Sequence, residues 1–415
     1  MKIGIVNTFD TYGGAARTAT RLHNGLIEKG VESKMIVQVK QSDNNTVYGP
    51  ESKFEKLKTV IISNISNLPV KLYANKDSRT FSTGLLNSTN LNKYESDFDI
   101  LNLHWVANGF QSINSIKKIK KPLVLSLHDS WAFTGGCHVP YACNNFTNNC
   151  GNCSCLNSNN EKDLSYYILK CKKKAWEDKN MVLVAASKWI ADNAARSSIF
   201  NNHRIEVINP GLDLNVYKPQ GKNIARKLLG LSEEDNIILF GAISATSDFN
   251  KGFHLLMPAL ERIQSIIPNL KLLVFGSSNS SDLVIKNNIP IRYMGRVYDD
   301  ITLSILYSAA DVMVVPSIQE AFGQTASESF ACGTPVVAFG ATGLLDIVDH
   351  KINGFLAKPY DSLDLADGIK WVLENNDRLV SLSTEARKKA ISNFSIEKCV
   401  DQYINLYKNF LKIKE

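Results

Sequence analysis

Two glutamates eight residues apart, Glu320 and Glu328, stand in Pro316-Ser317-Ile318-Gln319-Glu320-Ala321-Phe322-Gly323-Gln324-Thr325-Ala326-Ser327-Glu328, where a glycine turn separates an apolar run from a helical one. Asp311-Val312-Met313-Val314-Val315-Pro316 reads as a fully buried parallel strand, and Thr325 to Cys332 as a helix closed by Gly333 and Pro335. Gly323 lets backbone N–H groups approach an anion, and the helix N-terminus adds unpaired donors and partial positive charge. Phosphate chemistry fits that arrangement. Helical positions eight apart lie roughly 80° apart about the axis, so with Glu320 ahead of the first turn the two carboxylates can address different ends of one bound molecule. The alternative is a capped helix carrying two surface glutamates.

Sulfur is the second concentration of chemistry. Of eight cysteines, five crowd between Cys137 and Cys155, while Cys171, Cys332 and Cys399 are scattered, which is not the spread of a secreted disulfide framework. Cys137-x5-Cys143-x6-Cys150-x2-Cys153, with Cys155 and His138 as spares, holds one C-x2-C knuckle and thiolates enough for tetrahedral zinc. A structural zinc there would order the 134–156 loop without joining the chemistry. Reduced thiols in a mobile loop and a reversible disulfide are the other readings. A zinc-knuckle nucleic-acid module is disfavoured, because basic and aromatic residues do not interleave in the loop, and no nucleic-acid partner is expected.

A chain of 415 residues is too long for one compact core and divides naturally into two domains of roughly 200 residues each. Its 44% hydrophobic and 21% charged content is ordinary for a soluble globular enzyme. No apolar run approaches a membrane span, and Met1-Lys2-Ile3-Gly4-Ile5-Val6 reads as a buried strand rather than a signal peptide, so a cytoplasmic location is expected. The formal charge of +7, from 47 basic and 40 acidic residues, favours an anionic partner. Lys53, Lys56, Lys58, Lys71 and Lys76 surround Val60-Ile61-Ile62, Ile65 and Leu68-Pro69-Val70. Such a segment could lie on an anionic membrane surface, at the inner face of the cell membrane. It could equally be a solvated helix covering its own core.

The elements that must position these groups are short apolar strands alternating with helix-length segments. Strands are expected at Lys2 to Asn7, Glu32 to Val39, Ile100 to His104, Leu123 to His128 and Val182 to Ser187, then at Ile237 to Ala242, Lys271 to Phe275, Ile291 to Met294, Val312 to Pro316 and Val336 to Phe339. This is α/β, βαβ architecture twice over. Parallel sheets bind ligands at the carboxyl ends of their strands, and His104, His128, Ser187, Gly241, Gly276, Gly295, Pro316 and Gly340 all sit at or just past such ends. The turn-forming run Ile208-Asn209-Pro210-Gly211-Leu212-Asp213 places the boundary between a domain of residues 1–207 and one of 208–395. A final helix, 396–412, carries Val400, Ile404, Tyr407 and Leu411 on one face and is expected to pack back on the first domain.

Gly13-Gly14 after the first strand, His128-Asp129, Asn209-Pro210-Gly211-Leu212-Asp213, Lys251-Gly252, Gly295-Arg296-Val297 and Glu320-x7-Glu328 resemble, in order and over nearly the whole chain, retaining nucleotide-sugar glycosyltransferases of family 4. His128-Asp129-Ser130-Trp131 running into Thr134-Gly135-Gly136-Cys137-His138, with Phe240-Gly241-Ala242 and Asp248 to Gly252, is similar to the branch that builds exopolysaccharides such as colanic acid. The resemblance implies a GT-B fold, two facing Rossmann-like domains with the donor mainly in the second, the acceptor mainly in the first and chemistry in the cleft. The implied activity is hexosyl transfer from a UDP- or GDP-sugar to a glycan or lipid-linked glycan.

The same resemblance implies the roles. Lys251 places its ammonium on the diphosphate, with the backbone around Phe322, Gly323, Gln324 and Thr325 and with Gly14, which takes the place of a catalytic metal. Glu328 accepts from the ribose hydroxyls. Glu320 lies beside the donor sugar, Arg296 and Val297 read the base edge, and His128 faces a donor-sugar hydroxyl or the developing charge. His104, Trp105 and Asp129 shape the acceptor pocket. Many relatives carry an arginine directly after the glycine where this chain has Ala242, which leaves Arg296 or backbone donors to complete the charge. A GT-B-fold epimerase of nucleotide sugars and a catalytically inactive nucleotide-sugar-binding partner are the alternatives. A dinucleotide-dependent oxidoreductase is disfavoured, because Asn7 to Ala16 lacks Gly-x-Gly-x-x-Gly.

Overall fold

A computed structural model describes residues 1–277 and 289–412. The chain forms two compact units, Met1–Gly211 together with Cys399–Glu415, and Leu212–Lys398.

In the first unit the apolar runs become β1 (Lys2–Phe9), β2 (Glu32–Val39), β3 (Val47–Tyr48), β4 (Ile100–Leu103), β5 (Leu123–Leu127), β6 (Met181–Ala185) and β7 (Arg204–Val207). They form one seven-stranded sheet in the order β3-β2-β1-β4-β5-β6-β7. Every pairing is parallel, with Lys2 opposite Glu32 and Ile3 opposite Ile100. Parallel sheets carry helices on both faces, which explains why β4, β5 and β6 are buried throughout and read as continuous apolar runs. The C-terminal helix, Ile396–Leu411, buries Val400, Tyr403 and Tyr407. Its two tyrosines reach polar groups inside the sheet: Asn102 Nδ2 donates to Tyr407 Oη at 2.7 Å, and Ser126 Oγ lies 3.0 Å from Tyr403 Oη.

The second unit repeats the plan with β8 (Asn236–Gly241), β9 (Leu270–Phe275), β10 (Ile291–Tyr293), β11 (Val312–Val315), β12 (Val336–Phe339) and β13 (Gly354–Ala357). Their order is β10-β9-β8-β11-β12-β13, again wholly parallel. Its core gathers Ile238, Leu272, Val312 and Val337 from the strands and Leu256, Leu260, Ile369 and Val372 from the flanking helices.

Each sheet reverses its strand order once, between β1 and β4 and between β8 and β11. Helices leave in opposite directions at such a point, and the crevice outside the strands' carboxyl ends is where open α/β sheets take ligands. Gly13-Gly14 follows β1, His104 follows β4 directly, the loop with Lys251 follows β8, and Pro316 to Glu320 follows β11. Both reversals therefore coincide with residues singled out by their chemistry.

Candidate active site

In the second unit, a 3-10 turn at Phe249–Lys251 is capped by Asp248, whose side chain accepts from the Asn250 N–H at 2.9 Å. Asn250 then ties this turn to the loop after β11. Its Nδ2 donates to Gln319 O at 2.9 Å, its Oδ1 accepts from Gln319 N at 3.1 Å, and its carbonyl accepts from Ile318 N at 2.8 Å. Thr342 holds the same loop from the other side, accepting from Glu320 N at 3.0 Å, while Gly343 N donates to Glu320 O at 2.9 Å. Neither Asn250 nor Thr342 stands out in the sequence, because each acts on a loop distant along the chain.

The clamp brings Lys251 and Glu320 together, Nζ to Oε1 at 2.7 Å, with the two side chains 23% and 18% exposed. Burial works against the ammonium, but the Glu320 charge and hydrogen bond, with Asp248 behind them, lift the Lys251 pKa above the ordinary lysine value. The lysine is thus a fixed cation. Gly252 makes the approach possible: its φ is +73°, and a Cβ there would lie 1.8 Å from Pro316 O. Gly252→Ala is therefore expected to cost about 2–3 kcal/mol of stability and to displace Lys251. Urea unfolding of the variant checks this, and an unchanged midpoint would rule the close approach out.

The helix after Glu320 runs from Gln324 to Ala331, opened by Gly323 at φ 106° with neither a side-chain cap nor an acidic residue in its first turn. Its N-terminus is suited to an anion. Phe322 is buried with its ring edge-on to Phe394 at 5.4 Å between centroids, and Gln324 and Thr325 are half-buried. Glu328 is only 2% exposed, and Tyr307 Oη donates to its Oε2 at 3.0 Å, so one carboxylate oxygen is committed to the protein. After β10, Gly295 takes φ +68°; Arg296 is exposed and Val297 half-buried.

In the first unit, β4 and β5 end side by side and present His104 and His128. His104 Nδ1 lies 2.8 Å from His128 Nε2 with the rings stacked at 5.0 Å. Burial drives both pKa values down, that of His128 to about 4 against the opposing pull of Asp129, and His104 further with His128 beside it. Both imidazoles are neutral at neutral pH. Next to them, Asp129 Oδ2 accepts from Trp105 Nε1 at 2.8 Å and pairs with His138 Nδ1 at 2.6 Å, and His138 Nε2 lies 2.9 Å from Ser82 Oγ. Burial raises the Asp129 pKa, but His138 and the hydrogen bonds from Trp131 and Trp105 outweigh it and hold the carboxyl below its usual range. His138, noted in the sequence only as a spare zinc ligand and within a motif, and Ser82, not noted at all, thus complete the polar chain begun by Asp129 and Trp105. On the other side of the sheet's reversal, the Gly14–Glu28 helix also opens with no side-chain cap and no acid in its first turn. Its N-cap residue is Gly13 at φ 95°.

The cysteine loop gathers the four thiols for which a structural zinc was expected, Cys137, Cys143, Cys150 and Cys153. Among the described residues no three His, Cys, Asp or Glu side chains are placed to hold one metal ion. All four are free thiols. Burial pushes Cys137 up to about 12, with Cys153 beside it, and raises Cys150 and Cys153 as well. Protein groups also hold the loop. Arg79 binds Asp77, the Val139 carbonyl and Ser154, Asp163 Oδ2 accepts from Cys153 N at 2.9 Å, and the buried Lys172 donates to the carbonyls of Trp131 and Thr134 from 4.0 Å over the Trp131 ring.

Two family models match the chain: residues 12–216 match "Glycosyltransferase Family 4" and residues 222–389 match "Glycosyl transferases group 1". An uncharacterised glycosyltransferase of Methanocaldococcus jannaschii is 28% identical over 66% of this chain and 70% of its own length. The D-inositol 3-phosphate glycosyltransferase of Mycolicibacterium smegmatis is 32% identical over 49% of this chain and 47% of its own, so the chain spans about half the length of that relative. Among solved structures, sucrose-phosphate synthase of Thermosynechococcus elongatus superposes with a TM-score of 0.68 at 20% identity, covering 100% of both chains. HepE of Anabaena, solved in complex with UDP-glucose, gives 0.66 at 18%, covering 99% of this chain and 100% of the other. These likenesses carry the fold.

Proposed function

We propose that this chain, a GT-B glycosyltransferase built of a family 4 domain followed by a group 1 domain, moves a hexose from a nucleotide sugar to a glycan or lipid-linked glycan acceptor. Configuration at the anomeric carbon is retained. The observation that carries the reading is the Lys251–Glu320 pair at 2.7 Å, ahead of an uncapped helix N-terminus at the reversal of the second sheet. In the reaction the bond from the anomeric carbon to the diphosphate breaks, negative charge grows on the diphosphate, and an oxocarbenium-like sugar forms beside it. Lys251 and the Phe322–Thr325 backbone take the diphosphate, Glu320 stays with the sugar, and Glu328, Arg296 and Val297 hold the nucleotide. A diphosphate arriving at Lys251 shares an ammonium already paired with Glu320, so leaving-group charge and sugar charge meet the two ends of one ion pair.

In the first unit His128 and His104 are neutral imidazoles, able to hydrogen-bond sugar hydroxyls without adding charge. Trp105 and Asp129, held by His138, give the acceptor an aromatic wall beside a carboxylate. No catalytic metal enters this reading. The run from His128-Asp129-Ser130-Trp131 to Gly136-Cys137-His138 supports surface-polysaccharide synthesis as the setting, with a UDP-sugar the first donor to test and a GDP-sugar the second.

Slow hydrolysis of an α-linked nucleotide sugar, followed by proton NMR, tests the stereochemical part. The α-hexose is expected as the first product, before mutarotation. If the β-hexose appears first, transfer with retention is wrong. Tight binding with neither hydrolysis nor transfer favours the inactive-partner reading instead, for which the Ala242 substitution is the sequence signal.

A further inference from the structure

The Lys53–Ile65 helix is turned the opposite way from a helix that covers a core. Its capping box, Ser52 with Glu55, fixes where it starts. The side facing the first unit is small and polar. Thr59 and Ser66 are buried, Gln38 Nε2 donates to Ser63 Oγ at 3.2 Å, Thr83 Oγ1 donates to Ser66 O at 2.9 Å, and Ile62 packs on Gly109, where a Cβ would come within 3.0 Å of it. These contacts hold the helix in one orientation. The opposite side carries Phe54, Leu57, Ile61, Ile65, Leu68 and Leu72, spaced three or four apart and continuing through the short Leu68–Lys71 turn. Phe54 is 75% exposed, Leu57 58% and Leu72 85%. A solvated helix covering its own core would show the reverse.

Charge says what this stripe fits. Between Lys53 and Leu72 there are four lysines and one acid, Glu55. That acid is already engaged by the Ser52 and Glu51 N–H groups and by Lys93 at 3.5 Å. Lys53, Lys56, Lys58 and Lys71 are all exposed. By the helical step of roughly 100° per residue, Lys53 and Lys58 flank the stripe's midline about 60–80° to either side. An apolar ridge between ammonium groups on flexible stems matches the boundary of an anionic bilayer, where acyl chains take the ridge and headgroups take the lysines. A second copy of this chain is a poorer occupant, because a two-fold interface would set one lysine rim against the other.

We propose that the 53–72 segment is a membrane-docking surface that seats the first unit on anionic phospholipid. This gives a place to the lipid-linked acceptor proposed above and rests on that reading for its purpose, but docking itself is measured without any nucleotide sugar. The test is sedimentation of the full chain with vesicles of phosphatidylcholine alone and of phosphatidylcholine with roughly a third phosphatidylglycerol, which supplies the negative surface potential that attracts lysines. Binding to the anionic vesicles only is expected. It should weaken more than about tenfold in Leu57→Glu/Ile61→Glu, and about fivefold for each of Lys53, Lys56 and Lys58 changed to alanine. These positions are exposed, and an unchanged circular-dichroism melt would establish that the variants are folded. Absence of binding to anionic vesicles overturns the proposal, as does equal binding to both compositions. A lipid-free dimer that Leu57→Glu/Ile61→Glu disperses overturns it in favour of a second copy. Loss of glycosyl transfer with vesicle binding intact would remove the transfer reading and leave the docking surface standing.

Discussion

Lys251→Ala is expected to lower kcat/KM for the nucleotide-sugar donor by about 10²–10³-fold, the usual effect of deleting one preorganised group at the site of developing charge. Diphosphate affinity should fall with it, because the ammonium meets the leaving group both before and during bond breaking. Glu320→Gln should behave differently: the amide keeps the shape but not the charge, so kcat falls while the affinity for free nucleoside diphosphate holds or rises once Lys251 is released from its 2.7 Å pair. The contrast is the informative part. If both variants lose donor affinity to the same extent, the two residues act as one structural ion pair rather than on opposite ends of the donor. Because the pair raises the Lys251 pKa, its contribution is complete below the ordinary lysine value and fades only as pH rises through the higher folded one. No ionisation of Lys251 should therefore shape the rate between pH 6 and 9, a window well below the ordinary lysine pKa of about 10.4.

Acid is expected to destabilise the first unit well before its carboxylates titrate. His23 is 0% exposed, with Nδ1 2.8 Å from Ser33 Oγ and Nε2 2.7 Å from Thr46 Oγ1, and burial lowers its pKa from 6.5 to about 4. A group with a depressed folded pKa binds fewer protons folded than unfolded, so stability is full above 6.5 and declines as pH falls toward 4. At pH 5 His23 alone should cost about 2 kcal/mol relative to pH 7.5. His128, lowered to about 4, and His104, lowered further, pull the same way. Urea unfolding at the two pH values checks the sum, and His23→Gln should flatten part of the slope. A denaturation midpoint independent of pH between 7.5 and 5 would mean that these imidazoles are protonated in the native state.

The central strands were legible because parallel sheets bury both faces, which leaves unbroken runs such as Val312–Val315 and Val336–Phe339. Of the four edge strands only β10 was expected; β3 is two residues long, β7 reads Arg-Ile-Glu-Val with charges alternating, and β13 opens on a glycine with only three apolar residues behind it, so their signals are weak. In the candidate site, residue types and order identified Lys251 and Glu320, but their pairing depends on Asn250 and Thr342 bridging separate loops, which no local spacing encodes. In the cysteine loop, Arg79, Asp163 and Lys172, drawn from outside the run, bond to its backbone, which the cysteine spacing does not encode. For the 53–72 segment the period of the stripe was readable, but a period does not say which face points inward; Gly109 and Gln38 decide that.

Calorimetric titration of the full chain with UDP-, GDP- and ADP-sugars, repeated on Lys251→Ala and Glu320→Ala, tests the central claim most directly. One nucleotide class should bind the unaltered chain, and Lys251→Ala should weaken that binding by at least about tenfold. Failure of every nucleotide sugar to bind, or binding that survives Lys251→Ala unchanged, would contradict the assignment of the Lys251–Glu320 platform as the donor site.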